Sequence, residues 1–179
     1  ETREATTRNV EDLLEDGKVI LKPRFDFGGH GIEIIDNIED FNPSKNQLVQ
    51  RFVDSETGIE QLGIDGVHDL RVLVLNGEPV GAYVRTPDEG FISNVSMGGS
   101  MEFVELEDIP DSAMDIVEKV SDKFDRFNPS YYSVDMIFDQ DEKPWVLEFN
   151  SKPGLNFYMD EEIEARKKPI MEKVVQTLI

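Results

Sequence analysis

The feature that most constrains this chain is a carboxylate inside an apolar run, Asp135 in Ser133-Val134-Asp135-Met136-Ile137-Phe138. A carboxylate among buried apolar side chains is costly unless a cation or strong hydrogen-bond donors satisfy it. Downstream, beyond the acidic turn Asp139 to Glu142, comes Val146-Leu147-Glu148-Phe149-Asn150. Glu148 and Asn150 are two residues apart, so on a strand they face the same side. If the two segments pair through that turn, three oxygen donors share one face. Two carboxylates and an amide oxygen suit a hard cation that keeps waters and phosphate oxygens, which describes Mg²⁺. The alternative is an ordinary polar face on a half-buried hairpin.

Composition narrows the setting. The 179 residues contain no cysteine, which excludes disulfides, thiolate zinc sites and cysteine nucleophiles. Hydrophobic residues make up 39%, including 11 Phe, so a sizeable core is expected and simple disorder is not. No apolar run approaches the roughly 18 to 20 residues of a membrane helix, and no signal-peptide pattern follows Glu1. A cytoplasmic protein is the expectation. The 38 acidic residues against 18 basic ones give a net charge of -20. Such a field argues against nucleic-acid and anionic-membrane partners. The acids are spread along the chain, which fits either a solvated acidic surface or adaptation to high internal salt.

Along the chain, residues 10 to 16 read as the end of a helix that Asp16-Gly17 stops. Strands are expected at 18–23, 32–35 and 48–53, the first two flanking the glycine-rich loop Arg24 to Gly31. From Val67 the pattern is an antiparallel meander. Asp69 to Leu75 runs into Asn76-Gly77, a strong hairpin signal, and Pro79 to Arg85 returns. Phe91 to Ser96 reads as the next strand. Ser112 with Asp115 reads as a capping-type helix start, followed by Ile116, Val117, Val120, Phe124 and Phe127 at helical spacing. Strands at 132–138 and 145–149 and a helix over 161–178 complete an α+β pattern.

Two further groups carry chemistry. Gly28, Gly29 and Gly31 lie in a loop whose backbone N–H groups could close over phosphates, although it also reads as a plain hairpin turn. Lys22, just before it, is placed to meet phosphate oxygens or to stand as an exposed strand-end lysine. Arg71 and Arg85 stand near the two ends of the Asn76-Gly77 hairpin. They are either surface residues or a clamp on a phosphoryl group. The histidines His30 and His68 read as loop and strand-edge residues, not as catalytic bases.

Together these residues resemble the ATP-grasp superfamily, from Val19 to Ile179. The resemblance rests on Ile20-Leu21-Lys22-Pro23 with its glycine loop, Leu48-Val49-Gln50-Arg51-Phe52-Val53 and Asp69-Leu70-Arg71. Its strongest part is Val134-Asp135-Met136-Ile137 followed by Leu147-Glu148-Phe149-Asn150-Ser151-Lys152-Pro153-Gly154. The chain is most similar to the branch of ribosomal-protein glutamate ligases, glutathione synthetases and D-alanine–D-alanine ligases. The segment Phe91 to Gly99 strengthens the glutamate-ligase comparison.

The resemblance implies an ATP-grasp fold of two α+β subdomains gripping ATP. The smaller would be 1–53 with the glycine flap, the larger 54–179 with the metal site. It implies an ATP-dependent carboxylate–amine ligase that forms an acyl phosphate and then an amide, releasing ADP and phosphate. Alternatives are a nucleotide-binding module without ligation and a kinase- or carboxylase-type ATP-grasp enzyme. Lys22, Gly28, Gly29, Gly31, Gln50, Phe52 and Arg71 are implied on the nucleotide side. Asp135, Glu148 and Asn150 would hold two Mg²⁺ ions, with Mn²⁺ an alternative. Arg85 and the backbone N–H of Gly154 would stabilise the transferred phosphoryl and the later oxyanion, with Asn94 a phosphate or substrate contact. Asp69 and Arg71 would position each other or the acyl substrate. The implied partners are ATP and small-molecule or peptide carboxylate and amine substrates, with a homo-oligomer as an option.

Three departures stand out. The usual N-terminal domain is not in the chain, so a fragment of a longer enzyme, inactive alone, is the expectation. Arg51 stands within 48–53, the implied adenine hinge, where an acidic residue is common, leaving Asp54 or Glu56 as ribose partners. Lys152 occupies a normally small position, either binding a substrate carboxylate or simply exposed.

Overall fold

The computed structural model describes residues 3–24, 31–43, 46–88, 90, 99–153 and 161–178. They form two compact units, 1–53 and 54–179. The first contains helix α1 (Arg3–Glu15) and strands β1 (Val19–Pro23), β2 (Glu33–Ile35) and β3 (Gln47–Arg51). The strands make an antiparallel sheet of order β2-β1-β3. Alternation in β1 decides its two faces. Val19 and Leu21 turn inward and pack with Val10 of α1 and Ile35, with Leu13, Leu14 and Val49 around them. Ile20 and Lys22 therefore take the opposite face, where Ile20 lies across from Gln50 and Ile34, and Lys22 across from Leu48.

The second unit is built on strands β4 (Asp69–Leu75), β5 (Glu78–Thr86), β6 (Ser100–Val104), β7 (Tyr131–Phe138) and β8 (Pro144–Asn150), with helices α2 (Asp111–Phe124) and α3 (Glu161–Leu178). The strand order is β6-β5-β4-β7-β8, every pair antiparallel. The α+β expectation holds, and so does the Asn76-Gly77 turn. Both residues have positive φ, 52° and 84°, as a tight hairpin requires.

Central strand β4 is buried over all seven residues. Leu70, Val72 and Val74 face a core completed by Ala113 and Val117 of α2 and by Val134, Met136 and Phe138 of β7. On the other face Leu73 and Leu75 pack with Tyr83 and with Ile170 and Val174 of α3. Asp69 and Arg71 share that second face by alternation. One face of the sheet thus carries an apolar core under α2, while the other is apolar under α3 and ionic at its far end.

Three details differ from the sequence expectations. Helix α2 starts at Asp111 with Pro110 at the cap and no side-chain cap bond, so Ser112 lies inside the first turn. It ends at Phe124, and Phe127, expected to continue its apolar face, is 54% exposed. Strand β6 was not anticipated, and the expected strand 91–96 lies outside the described residues.

Candidate functional site

Register assembles the ionic end of the large sheet in two rows. In the first, Asp69 of β4 lies directly across from Arg85 of β5. In the second, Tyr83, Arg71, Asp135 and Glu148 lie side by side across β5, β4, β7 and β8. One step further along, Asn150 lies across from Ser133, on the same face as Asp135. The hairpin expected of β7 and β8 therefore forms, and its register puts Asp135, Glu148 and Asn150 on one face.

A bulge makes this compatible with a packed core. The pairing shifts between Asp135 and Met136, so that Glu148 opposes Asp135 while Val146 opposes Met136. Without the extra residue Val146 and Glu148 would point the same way. With it, Val146 joins the α2 core and Glu148 takes the ionic face.

Asp135 is fully buried and heavily hydrogen-bonded. Its Oδ1 accepts from Nε of Arg71 at 2.8 Å and from the Ser133 hydroxyl at 2.9 Å. Its Oδ2 accepts from Nη2 of Arg71 and, at 2.9 Å, from Nη2 of Arg85. Arg71 thus grips Asp135 side-on through two nitrogens, the strongest form of such a pair. Nη1 of Arg71 reaches the Tyr83 hydroxyl at 3.4 Å, and Nη2 lies 3.7 Å from Glu148. Burial opposes the charge on Arg71, but the bonds to Asp135 outweigh it and raise its pKa. The two arginines face one site, as the hairpin suggested.

Arg85 uses the same nitrogen, Nη2, for Asp69 Oδ2 and for Asp135 Oδ2. Burial, and then Asp135, push the Asp69 carboxyl up to about 7, against the pull of Arg85 and Arg71. Asp69 and Arg71 were expected to position each other or the substrate. In the structure each is paired across strands, Asp69 with Arg85 and Arg71 with Asp135.

Among the described residues, no three His, Cys, Asp or Glu side chains cluster as a metal site. The set is two carboxylates and one amide. Glu148 is 61% exposed at its side chain, and Asn150 Oδ1 accepts the Lys152 backbone N–H at 2.9 Å. These are hard oxygen donors of the type a divalent cation prefers. Both oxygens of Asp135 already accept two bonds each, so a cation would take the place of a donor there. Of the four, the Arg85 bond to Oδ2 is the one whose donor nitrogen is shared with a second carboxylate.

In the small unit Lys22 and Gln50 are half-buried on the face away from α1, beside Leu48, which is 51% exposed. Phe52 follows β3, its N–H donating to the Lys18 carbonyl at 2.9 Å, with the Lys18 ammonium 5.9 Å from its ring. Gly31 has φ +69°, and a Cβ there would lie 3.1 Å from Pro23, so a glycine is favoured. Arg51 pairs with Asp16 at the surface of its own unit. Asp54 is engaged by the Glu56 N–H at 3.0 Å and by Gln140 at 2.9 Å, while Glu56 is exposed. Lys152 is exposed. Gly28, Gly29, His30, Asn94 and Gly154 lie outside the described residues.

Sequence reasoning missed the place of His68, which is not a strand-edge residue but is 1% exposed. Its Nδ1 is 3.0 Å from the Gly66 carbonyl and its Nε2 accepts the Phe138 N–H at 3.0 Å. That fixes a neutral ring, and burial lowers its pKa. The Ser133 bond to Asp135 was also missed, though its position two residues before Asp135 on one strand is a readable signal.

A family model described as the RimK-like ATP-grasp domain matches residues 19–174. The chain is 28% identical over 156 residues to the coenzyme gamma-F420-2:alpha-L-glutamate ligase of Methanococcus maripaludis. That match covers 84% of this chain and 50% of the relative. It is 32% identical over 108 residues to the glutathione synthetase of Anaplasma centrale, covering 57% of this chain and 35% of that protein. In fold it is similar to the D-alanine–D-alanine ligase of Bacillus anthracis complexed with ATP, with a TM-score of 0.55 and 15% identity. There the overlap is 94% of this chain and 54% of the other. The chain spans half or less of the length of these curated relatives.

Proposed function

The chain belongs to the RimK-like ATP-grasp family, and from that premise we propose that it is the nucleotide-binding and catalytic part of an ATP-dependent carboxylate–amine ligase. The observation that carries this reading is the ionic row on one sheet face, where Arg71, Arg85, Asp135, Glu148 and Asn150 converge. Two relatives are named as a glutamate ligase and a glutathione synthetase, which supports the reaction class.

In this reading an acid's carboxylate oxygen attacks the γ-phosphorus of ATP, and the bond to the β,γ-bridging oxygen breaks to release ADP. The amine then attacks the acyl carbon, loses a proton, and phosphate leaves. Bringing a carboxylate to a polyphosphate in a chain of net charge -20 demands local positive charge. Arg85 supplies it at the transferred phosphoryl, and Lys22 supplies it on the nucleotide. Ile20, Ile34 and Leu48 beside Gln50 offer an apolar surface for the base. Asp135, Glu148 and Asn150 would hold Mg²⁺, which when bound neutralises phosphate charge. The remaining site assignments, Gly28, Gly29, Gly31, Phe52, Asn94 and Gly154, belong to the same reading. ATP, a carboxylic acid and an amine are the partners.

The test is thermal stability of the full-length protein with ATP plus Mg²⁺, with ATP alone, and in Glu148→Gln. A rise that needs both the metal and Glu148 is expected. Phosphate release that depends on an added acid and amine would follow. Phosphate released at the same rate with neither added would overturn the ligase reading.

A further inference from the structure

Arg85 is shared by two carboxylates through one nitrogen. The two holds are unequal. Asp135 is already gripped side-on by Arg71 and capped by Ser133, so it has little need of Arg85. Asp69 is 7% exposed, and Arg85 is its hydrogen-bonded partner from the strand directly opposite. A buried carboxylate with one such partner is held by it strongly, and holds it in turn. Strands β4 and β5 set the two backbones directly opposite one another, whichever way Asp135 is held.

The pair is also incompletely spent. Among the described residues, Nε of Arg85 and Oδ1 of Asp69 are buried and have no hydrogen-bond partner. Held end-on through Nη2, the guanidinium leaves one buried donor, its Nε–H, unspent. A fork-on-fork pair would have used both.

We propose that Asp69 is the positioning residue for Arg85, keeping its guanidinium aimed across the ionic row when Oδ2 of Asp135 turns to another cation. This rests on the ligase reading of the site and assigns a role that the reading leaves open. Asp69 itself touches no reactant. It acts by preventing Arg85 from following Asp135 or swinging to solvent.

The test uses the full-length protein and two readouts. The first needs no ligand: the ¹⁵N resonance of the Arg85 Nε–H, assigned by its loss in Arg85→Gln. It is expected to be slowly exchanging in the parent, fast in Asp69→Asn and slow again in Asp69→Glu. The second is isothermal titration with MgADP, with and without aluminium fluoride as a mimic of the transferred phosphoryl group. In Asp69→Asn the MgADP affinity falls no more than about twofold, while the tightening by fluoride drops about tenfold, as loss of one charge-assisted bond predicts. The double variant Asp69→Asn/Arg85→Gln loses no more than Arg85→Gln alone.

Unchanged Nε–H exchange in Asp69→Asn would overturn the proposal, as would losses that multiply in the double variant. If the parent does not bind MgADP, the ligase reading fails, and the exchange rate still decides the role of Asp69. Should Asp69→Asn not fold, Asp69→Ser takes its place in both measurements.

Discussion

The two sheets put their charged candidates in opposite environments. In the small unit Lys22 and Gln50 sit half-buried on a face that α1 does not cover, next to a leucine that is 51% exposed. In the large unit Arg71 is 7% exposed and Asp135 not at all, and their pairing is part of the interior. Overall charge divides in the same way. Residues 1–53 carry 11 acidic and 7 basic side chains, and residues 54–179 carry 27 and 11. The more acidic unit is the one that buries its arginines against carboxylates. A site on a surface is separable from stability, whereas a site built into a core is not. Substitutions should therefore behave differently in the two units.

The largest expected effect is Arg71→Met. It leaves Asp135 as a buried charge with only Arg85 and Ser133, and breaking such a pair from one side costs about 3–5 kcal/mol. Urea unfolding followed by the fluorescence of Trp145, whose indole N–H donates to Asp139 at 2.7 Å in the β7–β8 turn, measures it. A cost below about 1 kcal/mol would mean that the network is a surface feature after all.

That network also marks how far the sequence could be read. Asp135 in an apolar run announced a buried carboxylate, and alternation placed Glu148 and Asn150 beside it. The sequence did not reveal which cation satisfies Asp135, because that depends on cross-strand register. Arg71 and Asp135 are 64 residues apart and meet only because β4 pairs with β7. The bulge at Asp135 was hidden for the same reason. Strand β6 and the true start of α2 were missed on local grounds. Ser112 looks like a cap in isolation, but Pro110 fixes the chain one residue before the helix begins.

Next in size is His68, a residue of the large unit whose place only the fold discloses. Replacing it by Leu removes the acceptor of the buried Phe138 N–H and should cost about 1–3 kcal/mol. Its pH dependence follows from the sign of its shift. Burial, its largest cause, lowers the folded pKa below the ordinary 6.5. Between those values the unfolded chain takes up a proton that the folded one refuses, so stability falls as the pH drops below about 6.5. His68→Leu should flatten that part of the stability curve. An unchanged slope would place the acid sensitivity elsewhere.

Gly81→Ala tests the covered half of the same face. A Cβ there would lie 2.5 Å from Ile170 Cδ1 and 3.7 Å from Leu73 Cδ1, so α3 sits on β5 only because position 81 has no side chain. The clash involves the tip of a flexible side chain, and the expected cost is about 1–2 kcal/mol. Ile170→Val removes that methyl group. The double variant should therefore lose less than the two single losses added together, a coupling that denaturant titration resolves. Simple additivity would show that α3 shifts as a body to make room.

The smallest effect expected on stability is Lys22→Met, the counterpart of Arg71→Met in the small sheet. Both replace a long cation by an apolar chain of similar length on a strand. Lys22 is half-buried and opposite Leu48, so its stem can pack as methionine does, and the change should stay within about 0.5 kcal/mol. Its consequence belongs to nucleotide binding instead. Removing one charge-assisted contact to phosphate should weaken MgATP binding about tenfold in the full-length protein. Lys22→Met that unfolds the small unit would erase the contrast between the two sheets. Lys22→Met that melts like the parent yet binds MgATP poorly would place function on a surface in one unit and inside the core in the other.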